Sequence, residues 1–218
     1  MRRLAVVTSF RVSLLAWGIG ALLTVGGVAQ VEAQRAAAGP PDWPCVQRLI
    51  PEMSWGTVWA GPSLDELERQ WWDDEEVGRV VRFATARATP EGEGLERVRD
   101  FVASVDDDEA EERLTLLFSG LFELTNRERR RTIDSIRRAS RAQVARLDVI
   151  SDMVDKLEKQ RSEGEADEAE IERLADDLFW EQRTFQMRQQ ALPAMCEQPY
   201  LLEEKLSRMT RVIMERLP

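Results

Sequence analysis

Apolar residues recur every three to four positions along most of the chain after Ser63, which is the period of an amphipathic α-helix. The spacing predicts short helices over residues 63–72, 75–88, 93–104 and 108–124. The apolar face of the second is formed by Val77, Val80, Val81 and Ala84. A chain built from such segments is expected to bury these faces against one another in a bundle.

Two longer helices with matching apolar seams follow, over residues 127–161 and 167–191. The seam of the first repeats like a heptad with a polar centre: Ile133, Ile136, Ser140, Gln143, Leu147, Ile150, Val154 and Leu157. The seam of the second consists of Ile171, Leu174, Leu178, Phe185 and Leu192. Because a short connection around Gly164 separates them, the pair is predicted to form a protruding antiparallel hairpin, with arms about 40–50 Å long.

Capping residues and prolines predict where these helices begin and end. Ser63–Glu66 and Thr125–Glu128 each match a capping box, in which a hydroxyl and a carboxylate bind free backbone N–H groups. Pro193 is expected to end the hairpin, because proline cannot continue a helix without losing a hydrogen bond. Pro199 is expected in the first turn of a last helix over residues 200–216.

The stretch before the first helix differs in composition. Five prolines interrupt helix formation between residues 34 and 62, so this segment is expected to be an extended strap. It contains Trp43, Trp55 and Trp59. Such an aromatic cluster can bind sugars or quaternary amines. We favour a second interpretation, in which a segment that cannot fold alone docks its large rings on the helical body.

The predicted fold class is all-α, with a short-helix bundle, a long protruding antiparallel hairpin and the Trp- and Pro-rich strap. In chain order we expect a signal peptide over 1–33, the strap over 34–62, the bundle over 63–124, the hairpin over 125–192 and a C-terminal helix that packs on the bundle over 193–218. The length after the signal suits one domain with a protruding arm.

Residues 1–33 have the pattern of an export signal. Three arginines precede an apolar run over residues 12–28, and small residues follow, so cleavage is expected after Ala33 or, second, after Ala29. The alternative is an uncleaved anchor in the inner membrane, because the run is near the lower length limit of a bilayer-spanning helix. In both cases the basic residues come first, so the body is expected to face outward, in the periplasm. The Sec route is expected, because Arg2 and Arg3 lack the rest of a twin-arginine signature and no cysteine directly follows the apolar run.

Composition restricts the chemistry. The chain has 30 Lys and Arg residues against 40 Asp and Glu, a formal net charge of −10, so no nucleic-acid partner is expected. It has no histidine, which excludes Ser–His and Cys–His nucleophile pairs and His-ligated zinc. A carboxylate-only or Ser–Lys enzyme is compatible with the composition. No cofactor and no metal site are predicted, and the excess of arginine over lysine indicates a bacterial, GC-rich source.

Cys45 and Cys196 are the only cysteines, and an exported protein meets an oxidising compartment. They are expected to form a structural disulfide that ties the strap to a loop between the hairpin and the last helix. The alternatives are two free thiols or a redox pair. A redox pair normally has a Cys-x-x-Cys motif, which this chain lacks.

The segment Arg127–Arg146 is strongly basic, with eight arginines and two acidic residues. Binding of an anionic partner would involve Arg130, Arg131, Arg137 and Arg138. We favour a solvated face, neutralised by the acidic run Asp106–Glu112. The tip, residues 163–177, is acidic and lacks the spacing of a calcium loop. The arm is therefore expected to be an electric dipole.

These features predict a non-enzymatic periplasmic interaction or scaffold protein, whose hairpin contacts an unidentified protein partner. One alternative is a periplasmic helical-hairpin chaperone or stress protein. A third hypothesis, which we favour less, is a carboxylate-based enzyme with convergent acids in a pocket. The pattern leaves the oligomeric state open, because the hairpin seam can pair within one chain or between chains.

Overall fold

The computed structural model describes residues 39–163 and 167–217. This part of the chain is helical and has no strand, which confirms the predicted all-α fold. Its α-helices are α1 (Glu75–Thr85), α2 (Glu91–Ser104), α3 (Ala110–Glu163) and α4 (Glu168–Met214). Short 3₁₀ turns at Trp55–Thr57 and Leu64–Glu66 precede them. The expected signal peptide over 1–33 and the first residues of the strap lie outside the described residues.

α3 is a single helix of 54 residues, about 80 Å long. The predicted break at Thr125–Glu128 is wrong. Thr125 is buried inside the helix, about four turns from its start, and the Asn126 side chain accepts a hydrogen bond of 3.2 Å from the backbone N–H of Met53. The capping pattern is a local signal, and the tertiary contacts around it determine the structure here.

α4 is likewise one helix, of 47 residues, and it continues through Pro193 and Pro199. The predicted stop at Pro193 and the separate last helix after Pro199 are wrong. Each proline removes one N–H donor, which leaves the carbonyl groups of Gln189 and Met195 without their usual helical partner. Packing on both sides of the prolines keeps the helix continuous. The earlier part contacts α3, and the later part enters the core.

The short helices follow the apolar pattern more closely. α1 begins after Asp74, whose side chain accepts hydrogen bonds from the backbone N–H groups of Glu76 and Val77, both at 3.0 Å. All four predicted apolar residues of this helix are buried. The helix predicted over 63–72 is wrong, because only the turn Leu64–Glu66 forms there.

We call residues 39–141 and 188–217 the body. Its largest fully buried side chains include Val77, Val81, Val98, Leu114, Leu117, Phe118, Leu206 and Ile213. Trp59 of the strap stacks on Phe118, with ring centroids 4.1 Å apart. Trp71 lies against Gly120, where an added Cβ atom would be 2.8 Å from the indole ring. The small residue at position 120 therefore permits Trp71 to approach the backbone of α3.

We call residues 142–163 and 168–187 the arm. Hydrogen bonds and ion pairs between its two helices set an antiparallel register: Gln143 Nε2 donates to the Phe185 carbonyl at 3.1 Å, and Gln160 Nε2 donates to Glu170 at 3.1 Å. Seam residues Leu157 and Leu178 are buried, whereas Leu147 is 48% exposed. No helix in the described ranges is long and apolar enough to cross a bilayer.

Candidate interaction surfaces

A disulfide joins Cys45 to Cys196, with the two Cα atoms 5.6 Å apart. The predicted bond is confirmed. Its expected position in a loop is wrong, because Cys196 lies within α4. The bond therefore attaches the strap directly to the helix that continues into the arm.

The strap tryptophans pack inward at two places. Trp43 is buried with Cys45 against Ile133 and Ile136 of α3, at the base of the arm. Its Nε1 donates to the Gln47 carbonyl at 2.7 Å. Trp59 is buried in the body, and Trp55 is partly buried against the same core. The Nε1 of Trp59 donates a hydrogen bond to the Pro62 carbonyl at 2.7 Å. These positions agree with the docking interpretation of the aromatic cluster.

The basic segment of α3 holds the strap. Arg130 pairs with Glu52 at 3.0 Å, and Arg137 pairs with Asp42 at 2.9 Å. Arg141 binds the same carboxylate of Asp42. Two of the four arginines predicted to bind an anionic partner are therefore occupied by carboxylates of this chain.

The acidic run Asp106–Glu112 does not neutralise these arginines, so that expectation is wrong. In the described part of the chain its members pair elsewhere: Asp107 with Arg216, Glu109 with Arg113, and Glu112 with Arg69. The run lies at the start of α3, and the basic segment begins more than four helical turns later along the same helix. Proximity in sequence was misleading because the helix is continuous.

Arg131 and Arg138 are differently placed. Arg131 lies 3.7 Å from Glu128, one turn earlier in α3, and Arg138 donates to Ser135 Oγ at 2.8 Å. Both side chains face solvent. Binding of an anionic partner at these two residues stays a prediction.

Arg129 is a structural residue that the sequence interpretation did not single out. Its side chain is only 5% exposed, pairs with Glu203 of α4 and donates to the Ile50 carbonyl of the strap at 2.5 Å. It therefore joins α3, α4 and the strap. The signal that could have identified it is its spacing of four residues before Ile133 and seven before Ile136, which places it on the buried face.

Hydrogen bonds in the folded protein lower the pKa values of two carboxylates, Asp42 and Asp74. The hydrogen bond from Arg137 lowers the pKa of Asp42, against a smaller opposing effect of burial, and Arg141 lowers it further. Burial raises the pKa of Asp74, but hydrogen bonds from Val77 N–H and Arg113 outweigh this effect, so the net pKa is lowered. Both groups stay ionised as ion-pair and cap partners at neutral pH.

A cleft of about 580 Å³ lies beside the end of α1, between α3 and α4. Its charged lining residues are Arg87, Glu128 and Lys205. Glu128 is engaged by Arg87 and Arg131. Burial lowers the pKa of the Lys205 ammonium, with a smaller opposing effect of Glu91. Among the described residues no cluster of three or more His, Cys, Asp or Glu side chains is arranged to hold a metal ion.

The arm exposes large apolar side chains outside its seam. Phe179 is 59% exposed and Trp180 is 65% exposed, and their rings meet edge to face at 5.3 Å. Val144, Val149 and Met187 are also about half exposed at neighbouring levels of the arm. The sequence interpretation missed this surface. The available signal was a pair of adjacent aromatic residues directly after the seam position Leu178.

Comparison of the chain with protein-family models, with curated proteins and with solved structures finds no match. The surfaces described above are therefore the basis for a functional proposal.

Proposed function

We propose that the protein is an exported, non-enzymatic interaction or scaffold protein of the periplasm, which binds a protein partner through the arm. The observation that carries the proposal is the set of exposed apolar side chains at the middle of the arm, including Phe179 and Trp180. Contiguous exposed apolar side chains with polar surroundings are typical of protein interaction sites. Aromatic residues are favoured there because they contribute a large contact area at low conformational cost.

The covalent structure supports export. A disulfide between Cys45 and Cys196 is compatible with an oxidising compartment, and such bonds are rare in the cytosol. Export itself is tested by fractionating cells and sequencing the N-terminus of the purified protein. We expect the protein in the periplasmic fraction with an N-terminus at Gln34. Recovery of the intact N-terminus from the membrane fraction would support the anchor instead.

Binding through the arm is tested by photo-crosslinking in cells. A photoreactive phenylalanine analogue replaces Phe179 in the arm or, as a matched control, the exposed Phe83 of α1. We expect covalent adducts from position 179 and few from position 83. If position 179 gives no adducts, or no more than position 83, the arm is not the binding surface.

A chaperone is the second candidate, and the exposed edge-to-face pair Phe179–Trp180 favours it. Exposed aromatic side chains on a protruding helical arm can bind many unfolded clients without strong sequence preference. The discriminating measurement is the light scattering of an unrelated, heat-aggregating protein. Suppression that is lost in the double variant Phe179→Ser/Trp180→Ser would support the chaperone. A single stoichiometric partner without suppression would support the scaffold.

A further inference from the structure

Lys205 of α4 differs from the other cationic side chains that are removed from solvent. In the described part of the chain, each buried or partly buried arginine forms an ion pair with a carboxylate. These arginines are Arg113, Arg129, Arg137, Arg146 and Arg216. Lys205 is also partly buried, but no described carboxylate forms an ion pair with its ammonium. Glu91 acts on Lys205 only at longer range and is itself paired with Arg208 at 2.8 Å.

The surroundings of Lys205 are largely apolar on the side of the body core. Together with Ala84, Leu124 and Met209 it lines a narrow recess, and these three residues belong to the core or pack against it. Apolar surroundings disfavour a charged ammonium, so burial lowers the pKa of Lys205. A partly buried charge without a partner in its own chain leaves a favourable interaction open to an anion from outside.

The cleft of about 580 Å³ gives such an anion access to Lys205. Its volume lies in the range of small-molecule binding sites. The same cleft is lined by Met195 and Leu202 of α4 and by Ala86 at the end of α1. A ligand in it can therefore contact a positive charge and apolar side chains at once.

The remaining charges of the cleft restrict the ligand to a small anion. Arg87 Nε donates to a Glu128 oxygen at 2.7 Å, so these two lining residues neutralise each other. The ammonium of Lys205 is then the excess charge of the lining. It matches one carboxylate, whereas a phosphate group is normally held by several cationic or N–H donors. A cationic ligand would be repelled by Lys205.

We propose that this cleft binds a small organic monocarboxylate, whose carboxylate pairs with Lys205 and whose short aliphatic chain contacts Met195 and Leu202. The inference goes beyond the proposed function, because it concerns a site in the body and not the surface of the arm. The carboxylate accepts a charge-assisted hydrogen bond from the ammonium. The aliphatic chain adds affinity in proportion to the apolar area that it removes from water.

NMR of the disulfide-bonded protein, labelled with ¹³C at lysine, tests the binding. The lysines of the chain are Lys156 and Lys159, which are exposed in the arm, and Lys205. Sodium hexanoate is expected to shift the Lys205 signal alone and to saturate, with a dissociation constant of about 1 mM or lower. No saturable shift, or equal shifts of all three signals, would overturn the proposal.

Three further probes separate the charge from the aliphatic chain. Hexanol has the chain without the charge, inorganic phosphate has charge without the chain, and butyrate has a shorter chain. Hexanol and phosphate are expected to bind at least about tenfold more weakly than hexanoate. Each methylene from butyrate to hexanoate is expected to tighten binding about threefold. Equal binding of hexanol or phosphate contradicts a monocarboxylate site, and equal binding of butyrate contradicts the apolar contact.

Calorimetry of variants tests the role of Lys205. Lys205→Met removes the charge but keeps an apolar side chain, and it is expected to weaken hexanoate binding about tenfold or more. Lys156→Met is the matched control, which is expected to bind like the unmodified protein. Unchanged binding by Lys205→Met contradicts the proposed ion pair.

A second variant changes the cleft at an exposed position, where folding is not at risk. Gln198 lines the cleft and is exposed, so Gln198→Glu adds a negative charge that competes for Lys205 and repels the ligand. It is expected to weaken hexanoate binding about tenfold. Gln186→Glu is the control, because this exposed residue of α4 lies about 18 Å further along the helix. Equal affinities of the two variants would overturn the site.

Discussion

The body and the arm share the same two long helices, yet they bury side chains in different ways. In the body, α3 is covered by short helices, by α4 and by the strap, so Leu114, Leu116 and Leu117 are all fully buried although they point in different directions. In the arm, as far as the described residues extend, only α4 covers α3, so seam residues such as Leu157 are buried and Val144 is exposed. The change occurs close to Arg141, where the strap makes its last ion pair with α3.

This difference shows that the elements packed around a helix, more than the helix sequence, determine whether an apolar side chain is buried. Two helices alone bury one stripe each, and every apolar residue outside the stripe stays in water. No other described element covers these side chains in the arm, so they are candidates for binding. The same residue types in the body contribute to a closed core.

The largest effect is expected from opening the body core. Phe118→Ala removes a fully buried ring that stacks on Trp59, and it is expected to lower the free energy of unfolding by about 4 kcal/mol. Leu157→Ala removes a buried arm residue and is expected to cost about 2 kcal/mol, because in the described part of the chain only α4 packs on this stretch of α3. Chemical denaturation followed by circular dichroism measures both. A greater loss for Leu157→Ala would reverse the comparison.

Removal of the disulfide comes next. Cys45→Ala/Cys196→Ala is expected to lower the free energy of unfolding by about 3 kcal/mol, because the open unfolded chain gains conformational freedom. In the folded variant, structural changes are expected only at the base of the arm, where Trp43 is buried next to the disulfide. The measurement is denaturation of the unmodified protein with and without reductant.

The disulfide variant is also the control for the reductant, which should not change its unfolding. An unchanged denaturation midpoint of the reduced, unmodified protein would show that Trp43 and the ion pairs hold the strap without the bond.

A smaller loss is expected at the junction between the body and the arm. Arg129→Ala leaves the Ile50 carbonyl and Glu203 without their shared partner and is expected to cost about 2 kcal/mol. Arg130→Ala removes an exposed ion pair of the same strap and is expected to cost less than about 0.5 kcal/mol. Thermal unfolding of both variants gives the comparison. Equal losses would mean that burial of Arg129 has no energetic consequence.

The sequence predicted what depends on periodic patterns and on composition, and it failed where contacts between distant parts of the chain override a local signal. The apolar face of α1 and the pairing of the two cysteines followed from spacing and composition. The capping box at Thr125–Glu128 and the stop at Pro193 were wrong, because both signals act over a few residues and the surrounding packing outweighs them. Contacts such as Arg137 with Asp42 join residues that are 95 positions apart, and no local pattern encodes them.

The arm surface escaped prediction for a related reason. An exposed Phe179 differs from a buried one only in what covers it, and the pattern around Leu178 is compatible with both. The sequence defines the stripe that faces the partner helix. It does not define how many further elements pack around the pair.

The smallest effect concerns the ion pairs of the two regions. Asp74→Asn preserves the cap of α1, because asparagine also accepts hydrogen bonds from backbone N–H groups, but it removes the charge that pairs with Arg113 at 3.0 Å. At neutral pH we expect a loss of about 1 kcal/mol in the free energy of unfolding. Because the pKa of Asp74 is lowered in the folded protein, its charge stabilises the fold above the unfolded-state pKa, about 4. That contribution is lost as the pH falls through the folded-state pKa, so the variant and the unmodified protein should converge in acid. Glu163→Gln in the arm breaks the exposed pair with Lys159 and should change stability little at any pH. A loss for Asp74→Asn that does not depend on pH would show that the ion pair with Arg113 does not account for it.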